Sequence, residues 1–333
     1  MKNLKDTTLS VLDLVLYAQG KTISDAFKHT VQLAQHTENL GYKRYWMAEH
    51  HSIEGVASAA TSILIGHVAS QTKTIRVGSG GIMLPNHAPL LIAEQFGTLA
   101  TLYPDRIDLG LGRAPGGDQN VISALRRDHG ARGGDFSRML EELNGYFAEH
   151  HTLQKVRAIP GEGIKMPIYI LGSSLYSAEL AARLGLPYAF AGHFAPGAME
   201  DAFALYNHRF IPSEILQRPY SMAGINILAS DTTEHAQFLA TSTQQRYLGL
   251  IRGQLTPTPP PVKNMDVLWT VKEKEAVGSM TRTMIVGDKE KVRKDMQTFI
   301  DQTGVDELII TTDTFDHSLK LKSFEIVMDA RNS

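Results

Sequence analysis

The stretch that decides the fold is Val11–Gly41, which begins VLDLVLY (11–17), turns through AQGK and continues as TISDAFKHTVQLAQHTENL (22–40). The first part is short and rich in valine and leucine, which predicts a β-strand, and the second carries apolar residues at helical spacing. Gly41 then predicts the end of that helix, because glycine adopts the left-handed conformation that closes many helices. A strand followed directly by a helix is the repeating unit of a parallel sheet.

The same strand-then-helix unit recurs along the rest of the chain. The further predicted pairs are Tyr45–Ala48 with Ser58–Ser70, Ile75–Leu84 with Ala88–Leu102, Arg106–Gly112 with Phe136–Glu149, Pro167–Leu171 with Ser177–Leu184, Tyr188–Ala191 with Ala198–Ile211, Met222–Leu228 with Glu234–Leu248, and Val305–Thr311 with Leu319–Ala330. Eight such units in 333 residues predict an α/β protein, a (β/α)8 TIM barrel. An open, doubly wound sheet is the alternative, but it would need a switch point in the strand order and fewer units.

Two stretches interrupt this alternation and predict insertions after strands four and seven. A polar segment rich in glycine and arginine runs from Gly112 to Gly134, and Gly249–Thr281 carries four prolines. A long stretch without regular structure is usually a lid or a linker, so 249–281 is predicted to be an active-site lid. Thr283–Gly287 and Asp288–Ile300 predict an extra strand and helix, and the whole chain, 1–333, is expected to form a single domain.

Composition excludes several classes of function. With 33 basic and 35 acidic residues the net charge is −2, so no strongly positive surface is expected for nucleic acid or for an anionic membrane. The chain has no cysteine, which excludes disulfides, thiolate metal ligands and a thiol nucleophile. Its longest uncharged window, 55–72, is broken by polar residues and does not resemble a membrane span. We therefore expect a soluble, cytoplasmic protein with neither nucleic acid nor membrane as a partner.

The candidate acid–base residues follow strand two. In a barrel the residues just after each strand face the active site, and here they are Glu49, His50 and His51. Because successive side chains of an extended chain point to opposite faces, the two histidines cannot both face the barrel mouth. One is the candidate acid or base and the other packs or orients it, unless the pair is purely structural. A metal site would need three converging ligands, and no HExxH-type spacing occurs, so no metal is predicted.

Glycines cluster where strand three ends. The run is VGSGGIMLP (77–85), and its glycines, Gly80 and Gly81 among them, predict unusual backbone angles or the close approach of a planar group. Neither this run nor GLGRAP (110–115) completes the GxGxxG pattern. The usual dinucleotide-binding fold is therefore disfavoured.

A second cluster, after strands four and five, favours a phosphate. Arg113 follows strand four, and an arginine there can pair with a phosphate through two parallel hydrogen bonds. Gly172, Ser173, Ser174 and Ser177 follow strand five, where a predicted helix begins and its free N–H groups favour an anion. Taken singly, the arginine is equally typical of a surface loop and the serines of ordinary helix caps. Together they favour a cofactor that bears a phosphate.

These motifs resemble the bacterial luciferase-like flavin monooxygenases, and among them the YhbW-type luciferase-like monooxygenases. The segments that carry the resemblance are EHH (49–51), VGSGGIMLP (77–85), DRIDLGLGR (105–113), and GSS (172–174) followed by Ser177. The resemblance covers nearly the whole chain in order. The chain departs from luciferase itself in having no cysteine, and light emission from a long-chain aldehyde is not expected.

The resemblance implies a barrel that binds reduced FMN, with the phosphate held by Arg113 and the serine cluster. It implies that His50 acts near the flavin, and that Glu49 or His51 tunes it. It also implies a cis peptide bond at Gly80–Gly81 beneath the flavin ring.

The leading hypothesis is an FMN-dependent monooxygenase that uses O2 to oxidise a small organic substrate, with reduced flavin supplied by a separate NAD(P)H:flavin reductase. Three alternatives stay open: an F420-dependent hydride-transfer enzyme on the same barrel, a flavin-binding protein without activity, and an aldolase- or hydrolase-type barrel. The last would need a catalytic lysine or a metal cluster at a strand end, and the sequence indicates neither. The resemblance also implies a homodimer, formed through the helices after strands two and three.

Overall fold

A closed barrel of parallel strands forms the centre of the fold. The computed structural model describes residues 2–114, 116–125, 136–149 and 155–333. The strands in these ranges are β1 (Thr8–Asp13), β2 (Arg44–Met47), β3 (Arg76–Met83), β4 (Ile107–Gly112), β5 (Ile168–Gly172), β6 (Tyr188–Phe190), β7 (Ser221–Ala229), β8 (Ile285–Gly287) and β9 (Glu307–Thr311). All but β8 close a ring in the order β1-β2-β3-β4-β5-β6-β7-β9, with β9 pairing back to β1. The predicted (β/α)8 barrel is confirmed.

Helices accompany the strands throughout the described ranges. They are α1 (Ile23–Leu40), α2 (Thr61–Gln71), α3 (Pro89–Leu102), α4 (Gln119–Leu125), α5 (Phe136–Phe147), α6 (Leu175–Leu184), α7 (Met199–Arg209), α8 (Thr233–Ile251), α9 (Val271–Met280), α10 (Lys289–Thr303) and α11 (His317–Asn332). Every predicted helix has a counterpart here, while α4 and α9 lie in the two predicted insertions. None of the helices so described is both long and apolar enough to cross a membrane.

α1 shows how the sequence fixes a barrel helix. The Thr22 hydroxyl accepts a hydrogen bond from the Asp25 N–H, and the Asp25 carboxylate accepts one from the Thr22 N–H, which is a capping box. Leu33 and Ala34 are buried on the inner face of the helix. Gly41 ends the helix with a φ of +87°, as its position in the sequence predicts.

The first strand lies earlier in the chain than the sequence indicates. The predicted strand, Val11–Tyr17, is replaced by one that ends at Asp13. The reason is Val15, whose φ is +54° and whose N–H donates a hydrogen bond to the Asp13 side chain at 3.0 Å. An extended strand cannot continue through a residue in the left-handed region. The apolar residues after Asp13 therefore leave the barrel instead of lengthening it.

The insertion after β7 is larger than the sequence predicts. Residues 227–229 extend β7 beyond the barrel and pair with β8, the predicted extra strand. The helix that packs beside α11 in the outer ring is α10, which precedes β9. The predicted barrel helix Glu234–Leu248 is α8, and its later part lies at the barrel mouth, where the Thr243 hydroxyl donates to the Asp313 carbonyl at 3.0 Å. The predicted helix is confirmed, but a helical pattern does not report which surface the helix covers.

The two predicted insertions differ in how far they can be described. Gly249–Thr281 contains α9, and the Thr258 N–H donates to the Tyr17 carbonyl at 3.0 Å, which ties this stretch to the loop after β1. Its function as a lid stays a prediction. Of the polar insertion up to Gly134, residues 126–135 lie outside the described residues, and α4 is the helix within its described part.

An ionic cluster closes the N-terminal end of the barrel. The buried Arg44 guanidinium pairs with Glu307 at 2.7 Å and with Asp108 at 2.9 Å. Asp108 also pairs with Arg76 at 2.7 Å. Burial alone would lower the pKa of Arg44, but the two carboxylates raise it overall. An apolar layer that includes Trp46 lies in the same barrel interior, so the open end of the barrel is the opposite, C-terminal one.

Candidate active site

Arg113 and the serine loop meet at one side of the barrel mouth. The pairing of β4 with β5 brings the ends of both strands together, with Gly112 opposite Leu171. The exposed Arg113 guanidinium lies over the Tyr176 ring, 4.3 Å from the ring centre. Among the described residues no carboxylate pairs with it. The structure thus brings together the two features whose combination predicts a phosphate site.

The three serines after β5 differ in their exposure and in their role in the loop. α6 begins at Leu175, two residues before the predicted start, so Ser174 is the N-cap, and its hydroxyl makes no capping hydrogen bond. Ser173 is exposed. Ser177 is buried instead, where its hydroxyl donates to the Ser174 carbonyl at 2.8 Å, and a side chain on Gly172 would overlap it. Ser173, Ser174 and the first N–H groups of α6 are therefore available to an anion, while Ser177 and Gly172 shape the loop.

β3 carries the irregularity that its glycines predict. Its register with β4 shifts within the glycine segment, and the Gly80–Gly81 peptide bond is cis, as the resemblance implies. A Cβ atom on Gly81 would lie 2.7 Å from the Gly110 carbonyl oxygen, and one on Gly80 would lie 2.8 Å from Leu12 Cδ1. Neither position has room for a side chain, so this part of the barrel mouth is bare backbone.

Glu49 is the centre of a buried hydrogen-bond cluster. Its carboxylate lies 2.7 Å from His51 Nε2 and 3.0 Å from His87 Nε2, and it accepts a hydrogen bond from the Met83 N–H at 2.9 Å. Burial alone would raise the pKa of Glu49, but the bonds from His87, His51 and Met83 lower it overall. Glu49 therefore holds a negative charge and ties the end of β2 to the end of the irregular strand β3.

His50 lies apart from that cluster, as strand alternation predicts. Its Nδ1 atom is buried and has no hydrogen-bond partner among the described residues. Burial, followed by the positive charge of Arg246, lowers the pKa of His50 to about 4, while Glu49 and His51 act on it more weakly and in opposite directions. The imidazole is consequently neutral at pH 7.

A second histidine at the mouth, His193, has no motif in the sequence. It follows β6, and its carbonyl accepts hydrogen bonds from Asn226 Nδ2 at 2.9 Å and from the Tyr247 hydroxyl at 2.5 Å. Its ring packs against Gly224, where a Cβ would lie 2.6 Å from Nδ1. Burial, opposed by Asp313 and reinforced by His50, lowers the pKa of His193 to about 4. His50 and His193 therefore lie near each other at the mouth, and both imidazoles are neutral at pH 7.

An ion pair completes the mouth. Arg246, from α8, donates to Asp313, which follows β9, at a distance of 2.7 Å between Nη1 and Oδ2. Both side chains are largely buried. Sequence reasoning missed this pair, since Arg246 lies within a regular helical pattern. The rule that residues after barrel strands face the site could have indicated Asp313, which is the second residue after β9.

Comparisons with known proteins agree over nearly the whole chain. The sequence profile of the family described as luciferase-like monooxygenase matches residues 9–307. The protein YvbT of Bacillus subtilis (strain 168) is 54% identical over 326 residues, which cover 98% of this chain and 97% of that protein. A luciferase-like monooxygenase of Escherichia coli (strain K12) is 50% identical over 327 residues, which cover 98% of each chain.

Solved structures share the fold. The structure of apo-MsnO8 has a TM-score of 0.87 and 33% identity, covering 97% of this chain and 98% of that one. Two more distant structures also share the fold, each with a TM-score of 0.71. They are the oxygenating constituent of 3,6-diketocamphane monooxygenase from Pseudomonas putida in complex with FMN, at 18% identity and covering 96% of each chain, and an F420-dependent secondary alcohol dehydrogenase, at 14% identity and covering 98% of this chain and 100% of that one.

Proposed function

This chain belongs to the luciferase-like monooxygenase family, and from that premise we propose that it is an FMN-dependent monooxygenase that oxidises a small organic substrate with O2. The observation that carries the proposal is the group of anion-binding donors at the side of the mouth where β4 and β5 end. Arg113 is an exposed cation held over Tyr176, in the first turn of α6, and the hydroxyl of Ser174, the N-cap of that helix, makes no capping hydrogen bond. A cation, a hydroxyl and uncapped helix N–H groups are the donors that a phosphate ester requires.

The residues present fit a flavin mononucleotide. Arg113, Ser173 and Ser174 would hold its phosphate, with Gly172 and Ser177 keeping the loop in shape. Gly80 and Gly81 place backbone without side chains at this part of the mouth, against which a flat ring would lie. Bound FMN would supply the redox chemistry and the reaction with oxygen, which no side chain of this protein can supply.

The protein's own contribution is to orient the flavin, exclude water and move protons. His50 is neutral at pH 7 and its Nδ1 is buried without a partner, so it can exchange a proton or a hydrogen bond with a bound reactant at that atom. Glu49 and His51 support this geometry by fixing the ends of β2 and β3. Gly249–Thr281 would close over the mouth and keep it dry.

Two partners belong to the proposal. The first is a separate NAD(P)H:flavin reductase that delivers reduced FMN. The second is another copy of this chain, docked through α2 and α3. Ile63, Leu91 and Leu102 on these helices expose 72%, 53% and 63% of their surfaces, and a homodimer would cover these apolar side chains. Light scattering measures the molecular mass of the protein in solution and so distinguishes a homodimer from a monomer.

Because an F420-dependent secondary alcohol dehydrogenase shares this fold, hydride transfer to or from F420 is the alternative reaction. The fate of oxygen separates the two. With reduced FMN, 18O2 and a panel of small organic compounds, a monooxygenase yields a product that carries one 18O atom. A product that differs from its substrate by two hydrogen atoms and carries no 18O would overturn the proposal.

A further inference from the structure

The Arg246–Asp313 ion pair lies at the barrel mouth, on the side away from Arg113. Asp313 follows β9, and β9 lies opposite β4 in the ring of barrel strands, so the pair lies across the mouth from Arg113. The charges of the pair reach the two imidazoles at the mouth. Arg246 lowers the pKa of His50, and Asp313 opposes the lowering of the pKa of His193. The pair and the imidazoles therefore form one polar group at the end of the mouth away from the proposed phosphate.

This group has more hydrogen-bonding capacity than the protein uses. An arginine side chain has five N–H donors, and of these only Nη1 of Arg246 has an acceptor within the described ranges. Asp313 is 8% exposed, yet its Oδ1 has no partner there. The Nδ1 atoms of His50 and His193 are likewise buried without partners in the described chain. Buried polar atoms are nearly always paired, so Asp313 Oδ1 and the two Nδ1 atoms point to a polar group that a ligand supplies.

The charges at this site limit which polar group of a ligand can bind there. The ion pair sums to zero, and the imidazoles of His50 and His193 are neutral at pH 7. A carboxylate or an ammonium group would bring a net charge to a place where burial already disfavours charge. A hydrocarbon or an isolated carbonyl offers no N–H or O–H group to Asp313 Oδ1. Covering that buried acceptor without supplying a donor costs free energy and would weaken binding of the ligand.

We propose that Arg246 and Asp313 anchor a primary amide group of the substrate, whose carbonyl accepts from the guanidinium and whose syn N–H donates to Asp313 Oδ1. A primary amide presents its carbonyl oxygen and this N–H side by side, so it can face both members of the ion pair at once, and it adds no charge. The anchor is a binding site of this chain; it rests on the proposed function only in that its ligand is the compound to be oxidised.

Three probes of similar size separate the possible ligands. 3-Phenylpropanamide carries the primary amide, methyl 3-phenylpropionate has an ester oxygen in place of the amide nitrogen, and 3-phenylpropionate carries a carboxylate. In calorimetric titrations of the FMN-loaded protein, the amide should bind about tenfold more tightly than either of the others, as expected when a buried acceptor is left unpaired. It should also shift the C2–H proton resonances of His50 and His193. Equal affinity for amide and ester, or tighter binding of the carboxylate, would overturn the proposal.

A paired substitution tests the residues themselves. R246M/D313L removes both charges together and leaves no unpaired ion, so it should fold, and its amide affinity should fall to that of the ester. Arg252→Met, on an exposed arginine next to the end of the same helix, is the matched control and should keep the amide preference. A preserved preference in the double variant contradicts the assignment. If that variant does not fold, the wild-type comparison of amide with ester still decides.

The same titrations, repeated without FMN, separate the two proposals. If FMN does not bind but the amide preference holds, the proposed function fails and the anchor stands. If FMN binds and the amide preference is absent, the anchor alone fails.

Discussion

Replacing Arg113 by methionine tests the phosphate end of the site. The guanidinium is exposed and lies 4.3 Å from the centre of the Tyr176 ring, so with FMN bound it would make charge-assisted hydrogen bonds to the phosphate. Losing hydrogen bonds to a charged group costs about 1.5–3 kcal/mol, which corresponds to FMN binding about 10- to 150-fold more weakly. Tyr176→Leu removes the ring under the guanidinium together with the exposed 3.3 Å contact between the Tyr176 and Ser137 hydroxyls. Loss of an exposed cation–π contact of about 0.5–1 kcal/mol predicts FMN binding about two- to fivefold more weakly.

Flavin fluorescence titrations with FMN and with riboflavin, which has no phosphate, provide the assay. The affinity for riboflavin should be the same in R113M and in the wild type, because the lost interaction concerns the phosphate alone. Arg183→Met, an exposed arginine in the last turn of α6, is the matched control and should bind FMN like the wild type. Equal weakening of FMN and riboflavin in R113M, or no change in either, would refute the reasoning.

Three further predictions concern the mechanism, the barrel and its response to acid. His50→Ala should abolish product formation while FMN affinity is kept; unchanged turnover removes His50 from the mechanism. Arg44→Met should lower the free energy of unfolding in urea by about 3–5 kcal/mol, because it leaves the buried Glu307 carboxylate without its cation, while Asp108 keeps only Arg76. Arg157→Met, in an exposed pair, should leave that free energy nearly unchanged. Stability should fall as the pH drops from 6.5 towards 4, because folded His50, His193 and His317 have pKa values of about 4 while the unfolded chain takes up protons near 6.5. Melting temperatures between pH 7.5 and 4 measure this, and a flat profile in that range contradicts buried neutral imidazoles.

Much of the site could be predicted because it depends on local rules and strand order. Strand alternation separates His50 from His51, and the structure places their side chains in different surroundings. Arg113 and Ser174 follow neighbouring parallel strands, so their meeting at one edge is a consequence of the barrel itself. The glycines of β3 report a backbone without room for side chains, and the packing around them agrees.

What the sequence could not supply depends on tertiary placement. Arg246 lies in a segment whose pattern is that of any amphipathic helix, and only the fold shows that this helix borders the mouth. His193 is positioned by hydrogen bonds to its backbone carbonyl, which leave no mark on residue identity. The end of β1 depends on the positive φ of Val15, a conformation that propensity would not assign to a β-branched residue. The inward direction of Ser177 follows from where α6 begins, and helix starts are poorly fixed by pattern alone.

We propose that the mouth of this barrel binds FMN. Parallel titrations of the wild-type protein with FMN and with F420, read by flavin and deazaflavin fluorescence, test it most directly. We expect saturable binding of FMN, weaker binding of riboflavin, and no comparable binding of F420. Tight binding of F420 with none of FMN would contradict it.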